Sequence, residues 1–532
     1  DNAGDAFEIS IPIKDDRRKI SYQYDTELIS GLIYYLPEPK EKYRGNSLIK
    51  EFMATDKIAV LKTANALAFL ARYPHGCLEQ KISQSYSSIA LRGILERFNM
   101  TELVKTIDEK INETFFYLEQ CLGADGLYSY WPGSEGYVYL TAYIVEFLTE
   151  AKRAGYKFPD KLLARPITHL QKALRSDYEN FIDGQSFLER VESLYALGRA
   201  GYFDASYARE LSSKINYMNL FSKSRLMLAL LENKGKSDKK NIEQLRKEIW
   251  ENTIFTLRDG IEKYSGLQKF TGSPNDDLVL SSEKRTLANV IRSLWRTDSN
   301  NEKLNQMINE LAIVGTGDGW GNTINNASAL LALNDVISVP EKKYDETKFE
   351  VSTGKIYDDF KLTAKNPIYF YKTNSSEKTK IVMKESDKKV FGSFKMSYIP
   401  DLDGSFVKQE NNGFVIENEF IKIDESNNII KREKINKSGL SLKYSPGDII
   451  EIHISVINPK KQNFVAITIP IAAGFEPMNP ELSTSSHLAK PAGKITKTPS
   501  YSMYLDDEVK YYYNELPQGN YDFYFRVKAA IE

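Results

Sequence analysis

The spacing of hydrophobic and polar residues changes twice along the chain. Residues 1–46 carry short alternating runs, such as FEISIPI (7–13), broken by charged turns, and these predict extended strands. From about 50 to 338 the spacing is helical. Ile82, Tyr86, Ala90, Ile94 and Phe98 fall four apart and predict one face of a helix. From about 340 the period becomes two. Ile450, Ile452, Ile454 and Val456 alternate with Glu451, His453 and Ser455, and Tyr521, Phe523, Phe525 and Val527 do the same further on. That is the pattern of half-buried antiparallel strands in a β-sandwich. SPGD (445–448) and LPQG (516–519) supply turns, and the charged run IKREKINKSG suggests a seam near 434.

The helical region repeats itself. KTANALAFL (62–70), LTAYIVEFL (140–148), RTLANVIRSL (285–294) and NNASALLAL (325–333) are small-residue, apolar helix stretches. Two follow the same kind of turn, DGLYSYWPG (125–133) and DGWGNT (318–323). Helical hairpins need neighbours to bury their faces, so an array or ring is expected. Recurrence of the turn at both ends of the array favours closure into an α/α toroid.

Composition removes several classes of function. Lys plus Arg is 71 and Asp plus Glu is 72, which gives no electrostatic pointer to nucleic acid or an anionic membrane. Histidines 75, 169, 453 and 487 have no metal-ligand spacing, so no metal or cofactor is expected. No apolar run reaches membrane-spanning length. The first residues, DNAGDAFEIS, have no leader character and no Met, and read as an internal cut, so any membrane attachment is expected through a missing upstream anchor.

Only two cysteines occur in 532 residues, and one stands in YPHGCLEQ (73–80). A thiol at Cys77 and a carboxamide at Gln80 meet if the chain turns tightly, which Pro74, His75 and Gly76 favour. Attack of the sulfur on the Gln80 carbonyl would expel ammonia and leave a thioester. Proximity supplies about 7–11 kcal/mol for well-oriented groups. Glu79 either biases proton transfer there or favours the positive end of a helix. A lone cysteine is more often a small buried hydrophobe, and Cys121 reads that way. His75 reads as a polar turn residue, and Trp131 and Trp320 as staples between helices.

GCLEQ resembles the Gly-Cys-x-Glu-Gln thioester signature of the α2-macroglobulin and complement superfamily. Tyr73-Pro74 and Leu78 are similar to the bacterial α2-macroglobulins. The Asp-Gly-aromatic repeats resemble the family's toroid, and YSPGDIIEIHISVINPKKQNFVAITIPIAAGFEPMNPEL (444–482) resembles its C-terminal sandwich. The resemblance implies a multidomain α + β chain: a thioester-containing α/α toroid (47–338) inserted in a CUB-like β-domain (1–46 and 339–433), then a macroglobulin-like β-sandwich (434–532) that continues past the last residue.

It also implies a role. A protease cuts an upstream bait segment, the thioester is exposed, and a protease lysine attacks the Gln80 carbonyl. This is a single-turnover trap, an endopeptidase inhibitor and not an enzyme. Tyr73 and Leu78 shield the bond in this reading, and the expected location is a bacterial periplasm or cell envelope, with a lipoprotein anchor among the forms of attachment. Complement relatives use a distant histidine to redirect the thioester to hydroxyls. SFLERVESLYALGRAGYF (186–203) has none, so direct aminolysis is expected. The alternatives are a thioester adhesin, a structural fragment with an inactive thioester, and a toroid enzyme of the terpene-cyclase kind, whose aspartate cluster is not evident.

Overall fold

The computed structural model describes residues 19–72, 76–97, 101–175, 181–182, 187–233, 238–258, 260–269, 278–315, 319–337, 346–363, 366–384, 386, 389–401, 413–434, 443–482 and 485–530. FEISIPI, Tyr73, Pro74 and His75 lie outside these residues.

Strands β1 (Ile20–Leu28), β2 (Ile33–Tyr35) and β3 (Ile49–Thr55) come first. Helices α1 (Ile58–Arg72), α2 (Leu78–Arg97) and α3 (Thr101–Cys121) follow, then the ribbon β4 (Tyr128–Ser129) and β5 (Gly136–Tyr137). Next are α4 (Val138–Arg153), α5 (Lys161–Arg175), α6 (Leu188–Arg199), α7 (Ala205–Ser212), α8 (Leu220–Leu231) and α9 (Lys239–Glu251). A second ribbon, β6 (Thr253–Arg258) and β7 (Ile261–Leu267), precedes α10 (Glu283–Asp298), α11 (Glu302–Ile313) and α12 (Thr323–Ile337). The chain returns to strands with β8 (Thr347–Thr353), β9 (Ile356–Leu362), β10 (Ile368–Thr373), β11 (Thr379–Met383) and β12 (Val390–Tyr398). It ends with β13 (Val415–Ile423), β14 (Ile429–Lys434), β15 (Ile449–Asn458), β16 (Gln462–Pro470), β17 (Phe475–Met478), β18 (Tyr501–Tyr504), β19 (Glu508–Leu516) and β20 (Gly519–Ala529).

Strands from both sides of the helical region form one sandwich. Its sheets run β1-β12-β3-β10 and β2-β11-β8-β9. Phe52, Phe394 and Leu28 from the first sheet meet Phe349, Val351 and Ile381 from the second in one core. Buried Lys50 is neutralised by Glu38, 2.7 Å away, as a buried cation requires.

The helices form two concentric rings. Helices α2, α4, α6, α8, α10 and α12 each pack on the next, and α12 returns to α2, so the ring closes. The other helices pack outside them. Neighbouring inner helices run parallel, since first turns bond across the ring. Thr323 of α12 donates to Glu79 of α2, and the Tyr139 N–H of α4 donates to Glu189 of α6. An inner helix is enclosed on every side. In α2, Ile82 and Tyr86 are buried as the spacing predicts, yet Ser83, Ser87 and Leu91 on another flank are buried as well. Buried charges inside the ring are paired: Arg225 bonds Glu146 and Glu192, and Arg285 bonds Glu192 at 2.8 Å.

The last sandwich pairs β14-β13-β15-β20-β17 against β16-β19-β18. Ile450, Ile452, Ile454 and Val456 enter its core with Phe523, Phe525 and Val527, following the predicted alternation. Strand β13 pairs along β15 from Val415 opposite Ile457 to Ile423 opposite Ile449. This sheet therefore begins ahead of the seam expected near 434. The first half of the charged run that suggested the seam, residues 430–434, belongs to edge strand β14, and residues 435–439 lie outside the described residues.

Candidate functional site

Cys77 is the residue just before α2, and Gln80 is the third residue within it. These are the N-cap and N3 positions of a capping box, in which each side chain satisfies the other's backbone N–H. Gln80 Oε1 accepts the Cys77 N–H at 3.2 Å, and the backbone N–H groups of Glu79 and Gln80 are close enough to the Cys77 sulfur to pull its pKa down. The Lys81 N–H closes the first helical turn on the Cys77 carbonyl at 3.2 Å. The spacing that caps the helix thus brings a sulfur to a carboxamide. Gly76 precedes the box, and Tyr73, Pro74 and His75 lie outside the described residues.

Glu79 does not sit at an exposed helix end. It is 6% exposed, and its carboxylate accepts Ser83 Oγ at 2.5 Å and Thr323 Oγ1 at 2.7 Å. Burial raises its pKa above the ordinary carboxylate value, against the pull of those two hydroxyls and of Arg285. Burial, and then the Glu79 charge, push the Cys77 thiol well above its usual pKa. The two N–H groups at the sulfur oppose this. Cys121 is also buried, with its thiol pushed up to about 12 by burial, which suits an inert packed thiol.

The helices flanking α2 both supply site residues through the repeated turns. In the first, Gly126 has φ +93°, and an added Cβ would lie 3.1 Å from the Arg165 carbonyl, so glycine is required. The chain then runs through Tyr128 and Ser129 to Tyr130, whose carbonyl accepts the Leu78 N–H at 2.9 Å. In the second, Gly319 has φ +79° and leads through buried Trp320 to Thr323 and its bond to Glu79.

A sheet of the last sandwich covers the site. Alternation puts Tyr511 and Tyr513 in the sandwich core and Tyr512 on the opposite face. There the Tyr512 ring stacks on Trp131, with centroids 5.1 Å apart. Phe464 meets Tyr130 at 4.5 Å. Its φ is +55°, a strained conformation for an aromatic residue, and it drops out of the β16–β19 pairing between Asn463 and Val465. Asn514 adds a 3.2 Å hydrogen bond to Tyr137. Beneath this cover, Cys77, Glu79 and Gln80 face Tyr130, Trp131 and Leu280 across a cavity of about 60 Å³ closed by Phe464, Ala466 and Tyr512.

Cys77, Glu79 and Gln80 are brought together as the sequence suggested, and Leu78 is fully buried beside them. Trp320 does act as a staple, donating to the Leu311 carbonyl at 2.6 Å. Trp131 does not, because its indole lines the cavity and packs on Tyr512. Sequence reasoning missed Tyr130, Thr323, Phe464 and Tyr512. The shared Asp-Gly-aromatic turns were the signal for the first two, and no local pattern marks the others. Among the described residues no group of His, Cys, Asp and Glu could hold a metal ion.

Residues 47–180 match the family described as "A-macroglobulin TED domain", and residues 413–532 match "Bacterial Alpha-2-macroglobulin MG10 domain". An α2-macroglobulin of Rickettsia conorii is 24% identical over 165 residues, 29% of this chain and 8% of that protein. One of Xylella fastidiosa is 27% identical over 155 residues, 28% of this chain and 9% of that protein. The structure of Salmonella α2-macroglobulin reacted with methylamine superposes with a TM-score of 0.73 at 16% identity, over 96% of this chain and 31% of that one. Native Escherichia coli α2-macroglobulin from domain MG7 to the C-terminus superposes with a TM-score of 0.68 at 18% identity, over 96% of this chain and 77% of that one. The likeness to these structures concerns the fold, and the matched region is a minor part of the curated relatives. With a TED domain and a bacterial MG10 domain in one chain, the protein belongs with the bacterial α2-macroglobulins.

Proposed function

We propose that Cys77 and Gln80 form an internal thioester, and that this bond captures lysine amines of attacking proteases. The observation that carries the reading is the hydrogen bond between the Cys77 N–H and the Gln80 side chain at the start of α2. The Cys77 sulfur sits at the helix start, and the Gln80 carbonyl oxygen is held by the Cys77 N–H at 3.2 Å. That N–H polarises the carbonyl and supports the negative charge that develops on its oxygen during attack. The sulfur adds to the carbonyl carbon, ammonia leaves, and the covalent ring replaces the hydrogen-bonded one. The cover of Phe464, Ala466 and Tyr512 then limits how much water reaches the electrophile.

Capture reverses the logic. A lysine amine adds to the same carbon, the carbon–sulfur bond breaks, and an isopeptide bond remains while Cys77 is released as a thiol. The reaction runs once. A cavity of about 60 Å³ holds a few waters or a small amine but not a lysine borne on a protein. Capture of a protease therefore requires the sheet carrying Phe464 and Tyr512 to part from Tyr130 and Trp131. Among the described residues no histidine lines the cavity, which favours direct aminolysis. The methylamine-reacted Salmonella relative supports amine reactivity. We extend the family's setting to this chain: proteases as covalent partners, in a bacterial periplasm or cell envelope.

The test is to incubate the purified chain with isotopically labelled methylamine or with isotopically labelled methanol, both small enough for the cavity, and to map the label. The reading expects label from the amine alone, at Gln80, lost in Cys77→Ala and Gln80→Glu. Amine label that persists in Cys77→Ala, or its absence from the unsubstituted chain, contradicts it.

A further inference from the structure

Two residues lining the cavity hold a buried polar group that the steps above leave unused, the Tyr130 hydroxyl and the Trp131 indole N–H, and the tyrosine is the one whose backbone is bonded to the reacting turn. Tyr130 is 2% exposed, and its hydroxyl has no hydrogen-bond partner among the described residues. A buried hydroxyl without a partner is costly, so it marks a position awaiting one. The residue is held firmly. Its carbonyl accepts the Leu78 N–H at 2.9 Å, one residue beyond Cys77, and its ring is packed by Phe464 at 4.5 Å and Tyr137 at 5.3 Å. It lines the same small cavity as Cys77 and Gln80, within electrostatic reach of Cys77 and Glu79.

The chemistry needs a donor there. When the amine displaces sulfur, the leaving group is a thiolate inside a buried site, next to the Glu79 carboxylate. Both features disfavour that charge, and they already raise the Cys77 pKa. The N–H groups of Glu79 and Gln80 offset part of the cost.

We propose that Tyr130 is a catalytic hydrogen-bond donor to the Cys77 sulfur as the thioester opens. This rests on the thioester reading above. The amine nitrogen bonds to the Gln80 carbonyl carbon, the carbon–sulfur bond breaks with its electron pair on sulfur, and Tyr130 Oη–H donates to that sulfur. The proton lost by the amine neutralises the thiolate, leaving an amide and a thiol. Tyr130 stays protonated throughout, as its raised pKa allows.

The experiment compares the full chain with its Tyr130→Phe variant, which removes one oxygen and keeps the ring. In the unsubstituted chain and the variant, the methylamine reaction rate is followed by intact mass, and the Cys77 thiol is titrated by iodoacetamide alkylation against pH after methylamine treatment. A donor role lowers the aminolysis rate about 10- to 100-fold, the range of a hydrogen bond to a charged group, and raises the thiol pKa. A role as cover alone leaves the pKa in place and the rate equal or faster, and overturns the proposal. If the unsubstituted chain shows no ammonia deficit, the thioester reading itself fails. The thiol titration still reads the hydrogen bond in that case, and an unchanged pKa overturns it too. Trp131→Phe keeps the Tyr130 hydroxyl and removes the indole N–H, the other unpartnered donor of the lining, so a thiol pKa raised in Trp131→Phe and unmoved in Tyr130→Phe would assign the donation to Trp131 and overturn the proposal.

Discussion

The indole of Trp131 stacks on the ring of Tyr512 with centroids 5.1 Å apart and planes inclined by 34°. One residue comes from a turn of the helical ring, the other from the outward face of a sandwich strand. Neither domain encloses Cys77 alone. The contact turns a helix terminus into a closed site, and its separation is the simplest way to open that site.

The cover has a test that does not dismantle the core. Phe464→Gly removes a ring over Tyr130 and places at φ +55° the residue best suited to it. Phe464 is half-buried, so loss of the ring costs less than the ~3–5 kcal/mol of a fully buried phenylalanine, and relief of strain returns about 1–2 kcal/mol. The expected outcome is a folded chain whose ammonia mass deficit decays at least about tenfold faster in neutral buffer. Unchanged decay by intact mass would mean that Phe464 does not guard the bond.

Thr323→Val tests the bond between the first turns of α12 and α2. A hydroxyl donating to a buried carboxylate is worth about 1.5–3 kcal/mol. All four tryptophans, Trp131, Trp250, Trp295 and Trp320, lie in the toroid, so fluorescence in urea follows that domain. The toroid transition should shift by that amount in Thr323→Val. In a Glu79→Gln background the shift should shrink, and equal shifts would show that the two residues are not coupled.

Glu79 gives a pH dependence whose sign follows from its environment. Burial raises its pKa in the folded protein above the ordinary 4.5, so the folded state holds the proton more tightly than the unfolded one. This contribution is fully present below the unfolded pKa and is lost as pH rises through the folded pKa. Glu79→Gln keeps an oxygen to accept from Ser83 and Thr323 but removes the charge. Relative to the unsubstituted chain, its urea midpoint should improve as pH rises through that window. Its Cys77 thiol should also alkylate at lower pH, because the Glu79 charge is among the causes of the raised thiol pKa. A constant gap across pH would contradict this assignment.

Gly319→Ala tests the second repeated turn. At φ +79° an added Cβ would stand 1.9 Å from Asn326 Oδ1, the acceptor of the Trp320 N–H. Strain and the lost bond together should cost about 2–3 kcal/mol in the toroid transition. The displaced α12 start should also shorten the lifetime of the mass deficit. A variant with the stability and deficit of the parent would separate this turn from the site.

What could be read in the sequence was what repeats or alternates. The β-period around Ile450–Val456 reports burial directly, because one face of that strand meets one core. The two Asp-Gly-aromatic turns foretold a closed ring because they precede α4 and α12, the two neighbours of α2. GCLEQ disclosed the reacting pair, since capping and chemistry share one spacing. The stripe at Ile82 and Tyr86 understated burial, because an inner helix has neighbours on every flank. Phe464 and Tyr512 stayed hidden for a related reason. On an outward strand face an aromatic residue reads as surface until a second domain lies against it. Trp131 beside a turn looked like a staple, and only its partner on β19 distinguishes a cover from a staple. Glu79 looked like a first-turn acid because its partner, Thr323, is 244 residues away.

The central claim is the bond between Cys77 and Gln80, and the most direct measurement is the intact mass of the freshly purified chain before and after methylamine. The account predicts a mass one ammonia below the sequence sum, then a gain of one methylamine with the release of one thiol that maps to Cys77. A mass equal to the sequence sum, unmoved by methylamine and with unmodified glutamine at position 80, would contradict it.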